Sequence, residues 1–265
     1  MAIPSSCRRL VAGVLSHAGP AMLSVATVIL AWEAYVQLSG ISPTVLPAPS
    51  RILAQTYQQR EALAGHMLAT LQATTFGFAC SLSAAFVLSI VVDFFPLLRR
   101  ALFPVFIITQ TLPLVAIAPL IVLWFGFGLT PKIMLVALVT FFPMLVALVQ
   151  GYESTDRDIE ALLASMGASR SRLFTMARLP SALPYFFAGL RISITYAVVG
   201  AIFAEYAGAA RGLGIYILNA KNNFRPDLVL AAVFVSATLT LLLFGATVLV
   251  QRAAMPWARL AERGP

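Results

Sequence analysis

Apolar residues along this chain run in blocks long enough to cross a membrane, and polar residues fall in short breaks between them. Six blocks predict transmembrane helices, at about residues 20–38, 66–92, 102–125, 133–149, 184–204 and 228–250. A helix needs roughly 20 apolar residues at about 1.5 Å each to cover about 30 Å of hydrocarbon, and each block reaches or approaches that. The third block is unusual because it contains Pro104, Pro113 and Pro119. A proline inside a helix removes one donor and frees the carbonyl four residues earlier, here those of Thr109 and Val115 for Pro113 and Pro119. Thr109, Gln110 and Thr111 add polar side chains at the same depth. Irregular backbone inside a membrane persists only where protein or a water-filled cavity satisfies it. A bent, pathway-lining helix is therefore expected, with an inert kink between helices as the alternative.

One stretch breaks the pattern: "DRDIEALLASMGASRSRLFTMARLP", residues 156–180, is amphipathic and basic. Thr155 and Asp158 have capping-box spacing, and Asp156 and Glu160 put negative charge near the positive end of a helix. Ile159, Leu162, Leu163 and Met166 recur at one-face spacing. Gly167 can end that helix, because glycine takes the left-handed conformation at little cost. Ser169 can cap a second helix, in which Leu173, Phe174 and Ala177 share a face. Pro180 and Pro184 then introduce the fifth block. The segment 155–180 is thus expected to be a helix, a glycine turn and a second helix lying along the membrane surface. Arg170, Arg172 and Arg178 are placed to meet phospholipid headgroups or an acidic groove on a partner. The competing reading is a solvated basic loop.

Composition sharpens this reading. Of 265 residues, 60% are hydrophobic and 11% charged, well below the roughly 25% charged of a soluble domain. The net charge of +8 could point to nucleic acid, but in so apolar a chain it follows from a positive-inside bias. With the N-terminus inside, eleven of the 18 Lys and Arg fall in cytosolic pieces, six in outer pieces and one, Arg191, inside the fifth block. Both termini and the amphipathic segment are therefore expected in the cytosol. The opening "MAIPSSCRRLVAGVLSHAGPA" has signal-peptide features, but Gly19-Pro20 interrupts it and a longer span follows, so an uncleaved cytosolic end is expected. No internal repeat or long linker divides the chain, and one membrane domain over residues 1–265 is expected.

Candidate chemistry is sparse. Glu33, Asp93, Arg191 and Glu205 lie in or at the ends of the blocks, where ionisable groups are costly and either anchor at the interface or serve a function. Glu205 stands apart because "GAARGLG" follows it, a segment suited to an outer gate or docking surface. His17 and His66 lack a second ligand at metal spacing, and Cys7 and Cys80 lie far apart with no metal-binding pattern. Trp32, Trp124 and Trp257 fall near block ends, as interfacial tryptophans do. The chain contains no GxxxxGK[ST], HExxH or GxSxG pattern, so no catalytic site and no nucleotide hydrolysis of its own are expected.

Glu160-Ala161, Gly167 and Leu179-Pro180 resemble the EAA motif of ABC importer permeases. Leu162 departs from its usual second alanine, and Ala177 from a bulkier aliphatic. "LPAPSRI", "PLIVLWFGFGLTPK", "LPSALPYFFAGLRISI" and "AEYAGAARGLGIYIL" resemble the nitrate/sulfonate/taurine branch, the last of them its hydroxymethylpyrimidine (thiamine-precursor) subgroup. The resemblance implies an all-α integral membrane protein of the type I importer permease fold, with six transmembrane helices and a cytosolic coupling helix-turn-helix. It implies ATPase coupling through Glu160, Ala161, Leu162, Leu163, Met166, Gly167, Ala168, Ser169, Phe174, Leu179 and Pro180. The pathway would involve Thr109, Gln110, Pro113, Pro119 and Glu205. The expected partners are an ATP-binding cassette ATPase that binds ATP and Mg, an extracytoplasmic solute-binding protein, a second copy of the chain and membrane lipid. No nucleic acid, cofactor or metal is expected in this chain. The location implied is a bacterial inner membrane, and the cargo a thiamine-precursor pyrimidine, or else nitrate, sulfonate or taurine. The reading from a different class is an ion-coupled secondary carrier, which would need ionisable groups near the bilayer midplane.

Overall fold

The computed structural model describes the backbone of residues 5–256 and the side chains of residues 19, 20 and 22–256. Expectations that rest on the side chains of Cys7, Arg8, Arg9 and His17, and on Trp257, Arg259 and Arg263, lie outside the described residues. The elements are α1 (Ser5–Ser39), α2 (Pro49–Gln58), α3 (Arg60–Phe94), α4 (Pro96–Thr111), α5 (Leu114–Phe125) and α6 (Leu129–Glu153). They continue as α7 (Arg157–Ser165), α8 (Arg170–Leu173), a π-helical turn (Phe174–Arg178), α9 (Leu179–Gly208), α10 (Leu213–Asn222) and α11 (Pro226–Ala254). Among the described residues there is no strand.

Five helical runs are long and apolar enough to cross a membrane, and α4 with α5 can make a sixth as one broken span. The expectation of one kinked third helix is corrected here: α4 and α5 meet at 100°. The residue before a proline is pushed out of the helical region. Leu112 is accordingly extended at ψ 128°, as is Pro113 at ψ 117°. Pro119 and Pro104 stay inside helices, so only Pro113 breaks the span.

The fifth span also differs from expectation. It does not start at Pro184, because Arg170–Gly208 forms one helical run. Pro180 cannot donate and would crowd the carbonyl four residues before it in a regular helix. A wider π turn precedes it, in which the Leu179 amide donates to the Phe174 carbonyl five residues back.

The chain divides into two units, 61–218 with 232–265 and 1–60 with 219–231. In the larger unit α6 and α9 pack along their length through small residues, which allow the close backbone approach that helix pairs in lipid depend on. A Cβ on Gly189 would stand 2.5 Å from that of Ala147, and one on Gly151 would stand 2.7 Å from the Ala182 Cα. Around this seam Met144, Leu145, Leu148, Tyr152, Phe174 and Phe187 form the main core. In the smaller unit the α1 carboxylate of Glu33 accepts from the Ser50 amide (2.9 Å) and hydroxyl (2.7 Å), which ties α1 to the start of α2. Asp227 pairs with Arg225 at 3.0 Å and Arg51 at 3.4 Å.

Candidate functional site

The amphipathic segment forms two limbs joined at a glycine. Asp156 caps α7, accepting from the Asp158 amide at 2.8 Å. Thr155 does not take this place, because its buried hydroxyl already donates to the Tyr152 carbonyl at the end of α6 (2.9 Å). At the other end Gly167 has φ +78°. The Ala168 amide bonds the Leu163 carbonyl and the Gly167 amide that of Ala164, both at 3.0 Å. Those two bonds make a Schellman ending, which satisfies carbonyls that a helix end leaves open. Ser169 caps α8, accepting from the Arg172 amide at 3.4 Å.

The two limbs present opposite characters. The second is anchored: Phe174 is buried against Tyr152 (ring centroids 5.1 Å apart) and Phe94 (5.6 Å), while Leu179 is half-buried and Pro180 exposed. The first turns Glu160 and Leu163 partly inward and leaves Ala161, Ile159, Leu162 and Met166 exposed. Ile159, Leu162 and Met166 are 50%, 61% and 75% exposed. One apolar stripe of α7 thus has no cover among the described residues.

One arginine holds the limbs together. Arg178 Nε and Nη2 donate to the two Glu160 carboxylate oxygens at 2.7 and 3.3 Å, and its Nη1 donates to both Asp93 oxygens at 2.8 and 3.0 Å. A planar guanidinium matches two carboxylates at once in a way a lysine cannot. Arg178 therefore points at its own chain and not at a headgroup or an outside groove, with Asp93 and Glu160 as its partners. Sequence reasoning missed this link: Asp93 and Arg178 are 85 positions apart, and no helical period relates them. The only available signal was opposite charge at block ends expected on the same membrane face.

The pathway candidates separate. Thr109 and Gln110 line a cavity of about 450 Å³ with Pro143 of α6 and Ile192, Tyr196 and Val199 of α9. Pro113 and Pro119 are not in its lining, and Pro113 lies instead at the break between α4 and α5. Glu205 is fully buried elsewhere, within 3.0 Å of the Thr70 hydroxyl, accepting from the Gly214 amide at 2.9 Å and facing Lys132 at 3.6 Å. Lys132 in turn donates to the Arg211 carbonyl at 2.8 Å, and His66 Nδ1 accepts from the Gly212 amide at 3.1 Å. The glycine-rich segment after α9 is thus pinned to α3, α6 and α9. A Cβ on Gly212 would fall 2.0 Å from the Glu205 carboxylate carbon. Among the described residues no cluster of three or more His, Cys, Asp or Glu could hold a metal ion.

Comparison with known proteins agrees with this geometry. Residues 77–255 match the family described as binding-protein-dependent transport system inner membrane component. The formylaminopyrimidine transport permease protein ThiX of Halalkalibacterium halodurans is 35% identical over 229 residues, 86% of this chain and 91% of its own length. The riboflavin transport system permease protein RibX of Chloroflexus aurantiacus is 35% identical over 228 residues, 85% of each chain. The taurine transport system permease protein TauC of Escherichia coli is 30% identical over 241 residues, 88% of each. A solved chain of the MetNI methionine ABC transporter, in inward-facing conformations, matches with a TM-score of 0.59 at 17% identity, over 76% of this chain and 97% of that one. That likeness supports the type I importer permease fold. The ion-coupled alternative is set aside, and the chain belongs to the inner-membrane component family of binding-protein-dependent transport systems, as an ABC importer permease.

Proposed function

We propose that two copies of this chain line the membrane pathway of an importer for a small neutral heteroaromatic cargo, and that α7 is the handle by which an ATPase subunit moves it. The carrying observation is the exposed stripe of Ile159, Leu162 and Met166 on a helix that is otherwise capped, terminated and fastened to the rest of the chain. An exposed apolar row on an ordered helix fits a hydrophobic groove on a partner. The Arg178 bridge transmits a push on α7 to the ends of α3 and α9. With α4 and α5 counted as one broken crossing, both termini and α7 lie on the cytosolic side, where arginine is enriched. A solute-binding protein would then deliver cargo at the opposite face, near Arg211.

The cavity supports the cargo class. Its lining offers a hydroxyl from Thr109, an amide from Gln110, the Tyr196 ring and aliphatic walls, and none of its lining residues is charged. Nitrate, sulfonate or taurine would lose hydration there without a cationic partner. A neutral pyrimidine can stack on an aromatic ring and exchange hydrogen bonds with an amide. The relatives named for pyrimidine and riboflavin transport point the same way.

The test is co-purification of the partner ATPase with this chain, from cells carrying Leu162→Glu with Met166→Glu. Both side chains are exposed, so insertion and yield should match wild type while ATPase recovery and uptake of a labelled pyrimidine fall at least about tenfold. Undiminished recovery would argue against α7 as the handle. Undiminished coupling with no pyrimidine uptake in wild type would argue against the cargo class alone.

A further inference from the structure

Two cavities outside the pathway lie end to end along the same three helical segments. The first, about 300 Å³, is apolar and is lined by Leu82, Ser83 and Phe86 of α3, Leu148 of α6, and Leu183 and Phe186 of α9. Ser83 and Phe86 are exposed, so in a bilayer this slot opens toward acyl chains. The second, about 450 Å³, has four arginines, Arg99, Arg157, Arg170 and Arg178, and three carboxylates, Asp93, Glu153 and Glu160, in its wall. Asp93 follows Phe86 by seven residues, two turns on the same face of α3 and about 10 Å further along. Glu153 follows Leu148 on α6, and Arg178 directly precedes Leu179, another residue of the slot. All three segments therefore lead from oil to charge in the same direction.

The charges in the second cavity do not cancel. Arg178 is matched by Asp93 and Glu160, and Arg99 by Glu153. Among the described residues no ion pair engages Arg157 or Arg170. Arg170 instead donates to the Asp93 carbonyl at 3.1 Å and lies over the Phe94 ring at 5.1 Å, which fixes the guanidinium without neutralising it. Four arginines thus face three carboxylates, and the one-charge excess, with Arg170 oriented and neither Arg157 nor Arg170 ion-paired among the described residues, fits a phosphate monoanion that carries a hydrocarbon chain.

We propose that the slot and the basic cavity form one site for an anionic phospholipid, with an acyl chain against Leu82, Phe86 and Leu183 and the phosphodiester held by Arg157 and Arg170. Arg157 is the first residue of α7 and Arg170 the first of α8, so a phosphate held by both ties the two limbs together. The site is independent of the cargo and of the ATPase reading.

The test uses the full chain, purified in detergent and delipidated, with native mass spectrometry during titration with dioleoyl-phosphatidylglycerol or dioleoyl-phosphatidylcholine. Wild type should retain the anionic lipid about tenfold more tightly than the zwitterionic one. Arg157→Gln with Arg170→Gln should abolish that preference, and Ser83→Trp, which fills the slot, should weaken retention of both lipids. Arg157→Gln alone touches no described partner and should lower the preference about threefold if the double variant fails to fold. In wild type, a photoactivatable phosphatidylglycerol should label the peptide containing Ser83 and Phe86. Equal retention of the two lipids, labelling confined to other peptides, or displacement of the lipid by equimolar inorganic phosphate would each overturn the proposal, the last by showing a free-anion site.

Discussion

At Gly167 the backbone stands at φ +78°, and no heavy atom lies within 4 Å of the place a Cβ would occupy. Any cost of substitution there comes from the backbone alone and not from a clash. Left-handed conformation costs most L-residues about 1–2 kcal/mol, whereas Asn adopts it more readily. Gly167→Asn should therefore keep ATPase co-purification near wild type, and Gly167→Val should lower it several-fold with a thermal midpoint close to wild type. Equal behaviour of the two variants would remove the conformational argument. Arg178 teaches the complementary lesson. Its role was not legible because charge pairing between distant positions leaves no period in a sequence, while Gly167 and Ser169 announced themselves through local turn and cap chemistry.

Among the elements, the apolar blocks were legible because a bilayer demands long uninterrupted runs, and their observed helices overrun the expected ends where polar residues still favour helix. The broken third span was half legible. Three prolines flagged an irregularity, but only Pro113, with extended Leu112 before it, breaks the helix, since Pro104 and Pro119 are accommodated within theirs. The break leaves Thr109 and Gln110 facing a cavity about 450 Å³ in volume. Thr109→Cys and Gln110→Cys, in a Cys7→Ser, Cys80→Ser background, should react with a small polar thiol reagent at least about tenfold faster than Thr140→Cys, whose side chain is buried. Protection of both positions, with and without ATP, would mean that the cavity lies off the pathway.

For the whole molecule, the family was legible from the combination of blocks and motif, whereas the wiring that makes the motif mechanical was not. In the proposed mechanism an ATPase grips α7 by its exposed stripe, with Arg178 carrying the displacement to Asp93 and hence to α3, and the π turn carrying it into α9. Glu205 instead fastens the glycine-rich segment, accepting from the Gly214 amide and facing Thr70 and Lys132. Its burial and its backbone partner explain why a charge expected to line a gate is instead enclosed. The most direct measurement is site-specific crosslinking in intact cells from single cysteines at Ile159, Leu162 and Met166, with buried Thr155 as the control position. The account predicts that adducts from the three exposed positions contain the ATPase subunit and those from Thr155→Cys do not. Adducts from all three positions that lack the ATPase would contradict it.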